Sequence, residues 1–253
     1  MSLSPAATRL EKAALDNGFD QELPCDGPWL AFASTHAPLK VWLATREDGS
    51  VAAALSREDV AQEAALGERS LDAELPAGAA AAHVVPDIPT LHHFLRRAWQ
   101  LSKTLPQALF HEFELTTRVL PRATEAERLV VQRVGQDLFR RGLLDYWQGR
   151  CAVTDLAVPE LLRASHIKPW AKCDSDAERL DVYNGLLLAP HLDALFDAGL
   201  VTFEDDGTMR CSGALEPAAR AILRVDENAR IARLHASHRA YLQWHRSREF
   251  VRR

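Results

Sequence analysis

The chain has 253 residues, a formal net charge of −5 and a hydrophobic fraction of 47%. This length allows one large or two small domains, and the hydrophobic fraction excludes a disordered chain because it is enough to bury a core. The acidic balance excludes a protein that coats nucleic acid by charge alone, so any DNA contact must come from a local basic face.

The cysteines and the apolar stretches indicate a cellular compartment. The four cysteines are scattered without a C-x-x-C motif: Cys25, Cys151, Cys173 and Cys211. Such spacing is typical of reduced thiols in a cytoplasm, and it makes a structural zinc site unexpected. No apolar stretch reaches membrane-spanning length, and the N-terminus lacks a basic region followed by a hydrophobic one. We therefore expect a cytoplasmic protein with no membrane partner.

The first hundred residues predict an α+β module. Apolar runs predict strands at 29–34, 40–45 and 51–55, and Ser56 is expected to cap a helix that ends near Ala65. The small residues 76–82 predict a loose connection. A helix opening at Pro89 is expected to pack its apolar stripe into the core: Leu91, Phe94, Leu95, Trp99 and Leu101.

A domain boundary is expected in the middle of the chain. Residues 105–122 look irregular because Pro106 and Pro121 act as breakers. We therefore predict an N-terminal module over residues 1–115 and a second domain over 116–253.

The second domain is predicted to begin with a long helix. Thr124 and Glu127 form a capping box, and the helix is expected to run to about Trp147. Its expected buried residues are Leu129, Val130, Val134, Leu138, Leu143, Leu144 and Tyr146. Its arginines are either a solvated face or phosphate contacts. A hairpin at 200–211 and a mostly helical tail at 216–250 follow, with Ile222 among the packing residues.

Two short motifs carry the chemistry. His166 ends a strand-like run, and Asn184 begins a second one. Asp193 and Asp197 then follow four residues apart on a short helix, where that spacing places them on one face. One imidazole and two hard oxygen ligands on such a compact unit could hold a divalent cation against a phosphodiester and activate a water beside it. Each residue alone has an ordinary structural explanation, and only their order and spacing favour catalysis.

The region from Tyr146 to about Ser212 resembles the HNH endonucleases, which have the ββα-metal nuclease fold. The matching pieces are residues 149–154, 162–170 with S-H-I-K-P-W, 178–181, 184–188 with N-G-L-L-L, and 192–200 with D-A-L-F-D. The resemblance covers roughly a third of the chain. It implies an α+β protein whose second domain is an HNH nuclease domain with a helical lead-in and C-terminal helices.

The resemblance also implies a role for each site residue. His166 matches the general base, and an imidazole accepts a proton from water at cellular pH. Asn184 matches the asparagine that holds the loop and orients the base. Asp193 matches the position of the final metal ligand, with Asp197 as the second ligand. Ser165 stands where relatives often carry a metal-binding Asp or His, so the first-strand ligand is left open.

The implied activity is metal-dependent hydrolysis of DNA phosphodiesters, in a restriction-like role. Mg²⁺ is the expected cofactor, with Mn²⁺ as the alternative. Phosphate contacts are expected from four basic residues, although Arg179 favours a structural role: Arg150, Arg163, Lys168 and Arg179. RNA remains open as a substrate because the chemistry touches only the phosphate. A homodimer and a monomer are both allowed.

Two further points stay open at this level. Ser165, a poor metal ligand, favours an alternative in which a degenerate HNH scaffold binds nucleic acid or regulates without cutting. The N-terminal module shows no catalytic pattern, and we expect it to select the target or to bind a partner.

Overall fold

The computed structural model describes residues 4–65, 69–71, 74–121, 123–226 and 228–250. The chain divides into two compact units, Met1–Lys103 and Thr104–Arg253. No helix in these described ranges is long and apolar enough to cross a membrane.

The first unit is built on an antiparallel sheet. Its described strands are β1 (Gln21–Leu23), β2 (Leu30–Ala33), β3 (Lys40–Thr45), β4 (Val51–Leu55), β5 (Arg69–Ser70) and β6 (Ala81–Val85), in the order β1-β2-β3-β4-β6-β5. Its helices are α1 (Pro5–Asp16), α2 (Glu58–Ala64) and α3 (Ile88–Thr104). All five residues of β4 are buried, as expected for a central strand.

Several expectations for this unit are confirmed, and two are wrong. Strand β3 has the predicted bounds, and the apolar stripe of α3 is buried at Leu91, Phe94, Leu95 and Leu101. Residues 81 and 82 were expected in a loose connection, but they begin β6, because alanines fit against the alanines of β4. Ser56 does not cap α2; its hydroxyl instead accepts a hydrogen bond from the Lys40 amide at 3.0 Å.

The second unit begins with two helices, α4 (Pro106–Thr117) and α5 (Glu125–Tyr146). The expectation of irregular structure at 105–122 is wrong because Pro106 occupies the first turn of α4, where its missing N–H costs nothing. The compact units accordingly divide after Lys103, whereas the sequence suggested a division after residue 115.

Helix α5 begins as predicted but buries a different face. Thr124 and Glu127 form the expected capping box. Leu129 and Val130 are 57% and 54% exposed, so their predicted burial is wrong. The buried side of the helix carries Val131, Leu138, Phe139 and Leu143 together with two glycines. The first turn of α5 therefore projects beyond the core that the rest of the helix covers.

The remaining elements frame the site. They are β7 (Arg163–His166), α6 (Asp176–Arg179), β8 (Gly185–Leu188), α7 (Pro190–Asp197), β9 (Val201–Phe203), β10 (Met209–Cys211), α8 (Pro217–Leu223) and α9 (His238–Arg248). Strands β7 and β8 pair antiparallel, and so do β9 and β10, which form the predicted hairpin. The tail is helical only in α8 and α9 among its described residues, and Ile222 is 81% exposed rather than packed.

Charge is distributed unevenly between the two units. Residues 1–103 contain 9 Lys and Arg against 14 Asp and Glu, and residues 104–253 contain 21 of each. The net charge of −5 therefore belongs to the first unit.

Candidate functional site

A short ladder and the helix that follows it form the site. In the β7–β8 ladder, Ser165 pairs with Leu186 and His166 pairs with Gly185. All four residues of β8 are buried. A Cβ at Gly185 would lie 2.6 Å from the Phe139 ring, so the glycine lets α5 pack directly against the ladder. This packing fixes the backbone from which His166 projects.

His166 is held on three sides. Its ring stacks on Phe139 with 3.7 Å between centroids, and it meets the Trp170 ring edge-on at 5.5 Å. Its Nε2 lies 2.9 Å from the carbonyl oxygen of Arg179. A carbonyl only accepts, so Nε2 carries the hydrogen and Nδ1 keeps its lone pair. The unprotonated Nδ1 is the nitrogen able to accept a proton.

Burial decides the protonation state of His166. Withdrawal from water lowers the pKa of the imidazole from 6.5 to about 4, and the bond to the Arg179 carbonyl only partly opposes this. The ring is therefore neutral at pH 7, as a general base must be.

Asn184 organises the loop between the strands. Its side chain is fully buried; Oδ1 accepts from the Lys168 amide at 2.8 Å, and Nδ2 lies 3.2 Å from the carbonyl oxygens of Lys168 and Glu178. Glu178 immediately precedes Arg179, whose carbonyl binds His166. Asn184 thus sits behind the site and connects to His166 through the backbone, as a loop-holding residue would.

Helix α7 carries the two acidic side chains. Asp193 and Asp197 lie one turn apart. Partial desolvation raises the pKa of Asp197 above its ordinary value, the negative charge of Asp193 raises it further, and the Ser165 hydroxyl opposes the rise. Two adjacent carboxylates that repel each other are a favourable place for a cation.

Ser165 faces the same space as these carboxylates. It is 3% exposed, and its hydroxyl lies near enough to Asp197 to lower the pKa of that carboxyl, although the contact does not have the geometry of an ordinary hydrogen bond.

One cleft of about 500 Å³ joins these groups. Ser165, His166, Asp193 and Asp197 all line it, and so does Arg163 at the first position of β7. The ladder therefore brings the predicted base and the predicted metal ligands to one space, and Asn184 stays behind it.

The predicted phosphate contacts have different environments. Arg163 lines the cleft, whereas Arg150 pairs with Asp155 at 2.7 Å on the surface. The Lys168 side chain is 10% exposed and binds Asp174 and Glu178, each at 2.8 Å. The Arg179 guanidinium binds Asp176 at 2.8 Å and the carbonyl oxygens of residues 170 and 173. The donors of Lys168 and Arg179 are thus engaged within the protein, and Arg163 is the basic residue best placed for substrate.

Two residues of the cleft were not predicted from the sequence. His245, on α9, and Glu249, just after it, also line the cleft. They lie about fifty residues beyond α7, and no spacing pattern connects them to the motifs.

The donor set suits a hydrated hard cation. Among the described residues, no group of three or more His, Cys, Asp or Glu side chains is placed to hold a metal ion. Mg²⁺ keeps several waters and is commonly bound by one or two carboxylates together with substrate phosphates. Asp193 and Asp197 supply carboxylates of that kind, so the residues present fit such an ion.

Comparison with known proteins agrees with this geometry. Residues 151–204 match the model of a family described as HNH endonuclease. The matched segment begins before β7 and ends after β9, so it contains the ladder and α7 but not α5 or α9. No curated protein matches the chain significantly.

Proposed function

We propose that the protein is a divalent-metal-dependent endonuclease that hydrolyses DNA phosphodiester bonds, because residues 151–204 match the model of a family described as HNH endonuclease. The observation that carries this proposal is the single cleft lined by His166, Asp193 and Asp197. A neutral imidazole and two carboxylates that line one cleft supply a general base and hard oxygen ligands, which are the groups that metal-assisted hydrolysis of a phosphodiester uses.

Each residue has a defined part in the proposed reaction. Nδ1 of His166 accepts the proton of the attacking water, while its Nε2–H stays bound to the Arg179 carbonyl and fixes the ring. Arg163 binds a phosphate oxygen at the edge of the cleft. Asp193 and Asp197 would hold Mg²⁺, or Mn²⁺ in its place. When bound, that ion supplies positive charge beside the oxygens that become more negative in the transition state. The expected products carry 5′-phosphate and 3′-hydroxyl ends.

The cation requirement provides the direct test. We expect supercoiled plasmid to be nicked in Mg²⁺ or Mn²⁺ and to stay intact in excess EDTA. His166→Ala should abolish nicking; it should also lower the Tm without preventing folding, because removal of the ring leaves a cavity beside Phe139. Undiminished cutting by that variant would remove His166 from the mechanism.

A second function has its own supporting observation. Ser165, a poor metal ligand, occupies the position where HNH relatives often carry a metal-binding Asp or His. This substitution favours a scaffold that binds nucleic acid without cutting it. Retardation of DNA in a gel without nicking in either cation, across a range of concentrations, would favour this function over the enzyme.

A further inference from the structure

The C-terminal helix α9 packs against the C-terminal end of α7. Helix α9 itself lies outside residues 151–204, which match the HNH endonuclease family. His245 of α9 is 2% exposed, and its ring stacks on Phe196 of α7 with 3.9 Å between centroids and 6° between planes. Phe196 lies between the two carboxylates of α7, immediately before Asp197. The stacked pair therefore contacts the helix at the turn that carries the proposed metal ligands.

Both nitrogens of His245 are engaged. Nε2 lies 3.2 Å from the carbonyl oxygen of Phe196, and Nδ1 lies 2.9 Å from the Thr202 hydroxyl. Since the carbonyl accepts, Nε2 donates the hydrogen, and Nδ1 accepts from Thr202. The Phe196 carbonyl also accepts a hydrogen bond from the Gly199 amide at 2.9 Å. His245 therefore adds a second donor at the end of α7 and links it through Thr202 to strand β9.

The backbone confirms how closely α9 approaches. Gly199, which follows α7, has φ +66°, and a Cβ there would lie 2.1 Å from the carbonyl oxygen of Glu249. No residue with a side chain fits at that distance. The end of α9 thus meets the turn after α7 through main-chain contact as well as through His245.

We propose that His245 is a positioning residue that sets the geometry of Asp193 and Asp197 for their cation. This inference rests on the proposed metal-dependent function. Both ring nitrogens are occupied and the side chain is buried, so His245 acts through α7 and not on the substrate. Residues that orient metal ligands typically change metal affinity or activity by about 10- to 100-fold when replaced.

The test measures Mn²⁺ binding by the full chain in calorimetry, without DNA. His245→Phe keeps an aromatic ring against Phe196 and removes both hydrogen bonds; it should weaken Mn²⁺ binding by about tenfold. The Mn²⁺ concentration for half-maximal nicking should rise by a similar factor, with most of the maximal rate recovered at saturation. His245→Gln retains a donor and an acceptor and should restore most of the affinity.

A neighbouring residue provides the matched control. Arg246 lies on the same helix but bonds to the Phe203 carbonyl and to Asp205, not to α7. Arg246→Met should therefore loosen α9 while keeping the Mn²⁺ affinity of the wild type. If Arg246→Met and His245→Phe weaken Mn²⁺ binding equally, His245 contributes only to the packing of α9, and the inference is overturned.

Two further arms keep the outcomes distinct. If His245→Phe does not fold, Thr202→Val removes the Nδ1 partner at nearly constant shape, and Mn²⁺ binding should weaken about threefold. If Thr202→Val folds and binds Mn²⁺ with wild-type affinity, the proposed role of His245 is contradicted, while the proposed metal site is unaffected. If the wild-type chain and Asp193→Asn give the same Mn²⁺ titration, the metal site itself is wrong, and the inference falls with it.

Discussion

The imidazole of His166 lies nearly parallel to the ring of Phe139, with 3.7 Å between centroids and 16° between planes. Phe139 belongs to α5, which begins 38 residues before β7 and precedes the segment that matches the HNH endonuclease family. The proposed base is therefore oriented by a helix outside that segment. Helix α5 is consequently part of the proposed site.

Phe139→Leu tests this stack. Loss of the aromatic face should let the His166 ring turn and admit water, so we expect nicking to fall about tenfold. The pKa of His166 should move upward from about 4 toward 6.5, because burial is the cause of its low value. The measurement is a histidine titration by NMR beside a nicking assay.

The control for this variant is Phe32→Leu in the first unit, where Phe32 is also 1% exposed. It should lower stability by about 1–2 kcal/mol, as for any shape change in a packed core, and leave the His166 titration unchanged. A shifted titration in the control would show that the effect is not local.

Asp193→Asn tests two effects of the Asp193 carboxylate, its repulsion of Asp197 and its proposed contact with the metal ion. Like charges at i,i+4 destabilise a helix by about 0.2–0.5 kcal/mol. Removing the Asp193 charge should therefore lower the pKa of Asp197 toward its ordinary value. Asp193 also lies in the first turn of α7, where the helix dipole stabilises its charge, so the two effects oppose each other and the metal-free Tm should change by less than about 2 °C. Cleavage should be lost in the same variant. An unchanged Asp197 titration would contradict the repulsion.

Arg163→Ala tests the proposed phosphate contact. The slope of log affinity for DNA against log salt concentration should become less negative by about one unit, and the sequence preference should change little. Lys168→Met is the contrasting variant, since Lys168 already binds Asp174 and Glu178. Lys168→Met should lower the free energy of unfolding and leave the salt slope of DNA binding unchanged. An unchanged slope in Arg163→Ala would show that Arg163 does not contact a phosphate.

The stability of the protein should fall in mild acid. Burial lowers the pKa of His238 from 6.5 to about 4, and this side chain is fully buried. Between these two values the unfolded chain binds a proton that the folded chain does not, so stability decreases as the pH falls from 6.5 toward 4. The loss from His238 alone approaches about 1.4 kcal/mol per pH unit.

His238→Phe is the variant that tests this dependence. The His238 ring lies among the rings of Tyr146, Trp147 and Tyr183, so a phenylalanine can replace it there. Urea unfolding at pH 7, 6, 5 and 4.5 should give a shallower loss of stability for the variant than for the wild type. Identical pH profiles would exclude His238 as a source of acid sensitivity.

The elements of the site followed from the sequence where short-range signals decide structure. The β7–β8 ladder and α7 were predictable because apolar strand-like runs and the Asp193/Asp197 spacing act within a few residues, and because these segments resemble the HNH motifs. Helix α4 was not, because a proline opens a helix as readily as it breaks one. His245 was beyond reach, because its role depends on a contact with Phe196, 49 positions earlier.

The surplus of negative charge in residues 1–103 has a consequence for selectivity. A phosphate backbone that approaches this chain meets one unit without net charge and one with a surplus of negative charge. We therefore expect the first unit to repel DNA in general, so that retention requires a compensating contact with a particular target. Moderate salt screens that repulsion as well as attraction. Cutting of non-preferred plasmid should then fall less steeply with salt for the full chain than for a variant whose first unit has been neutralised.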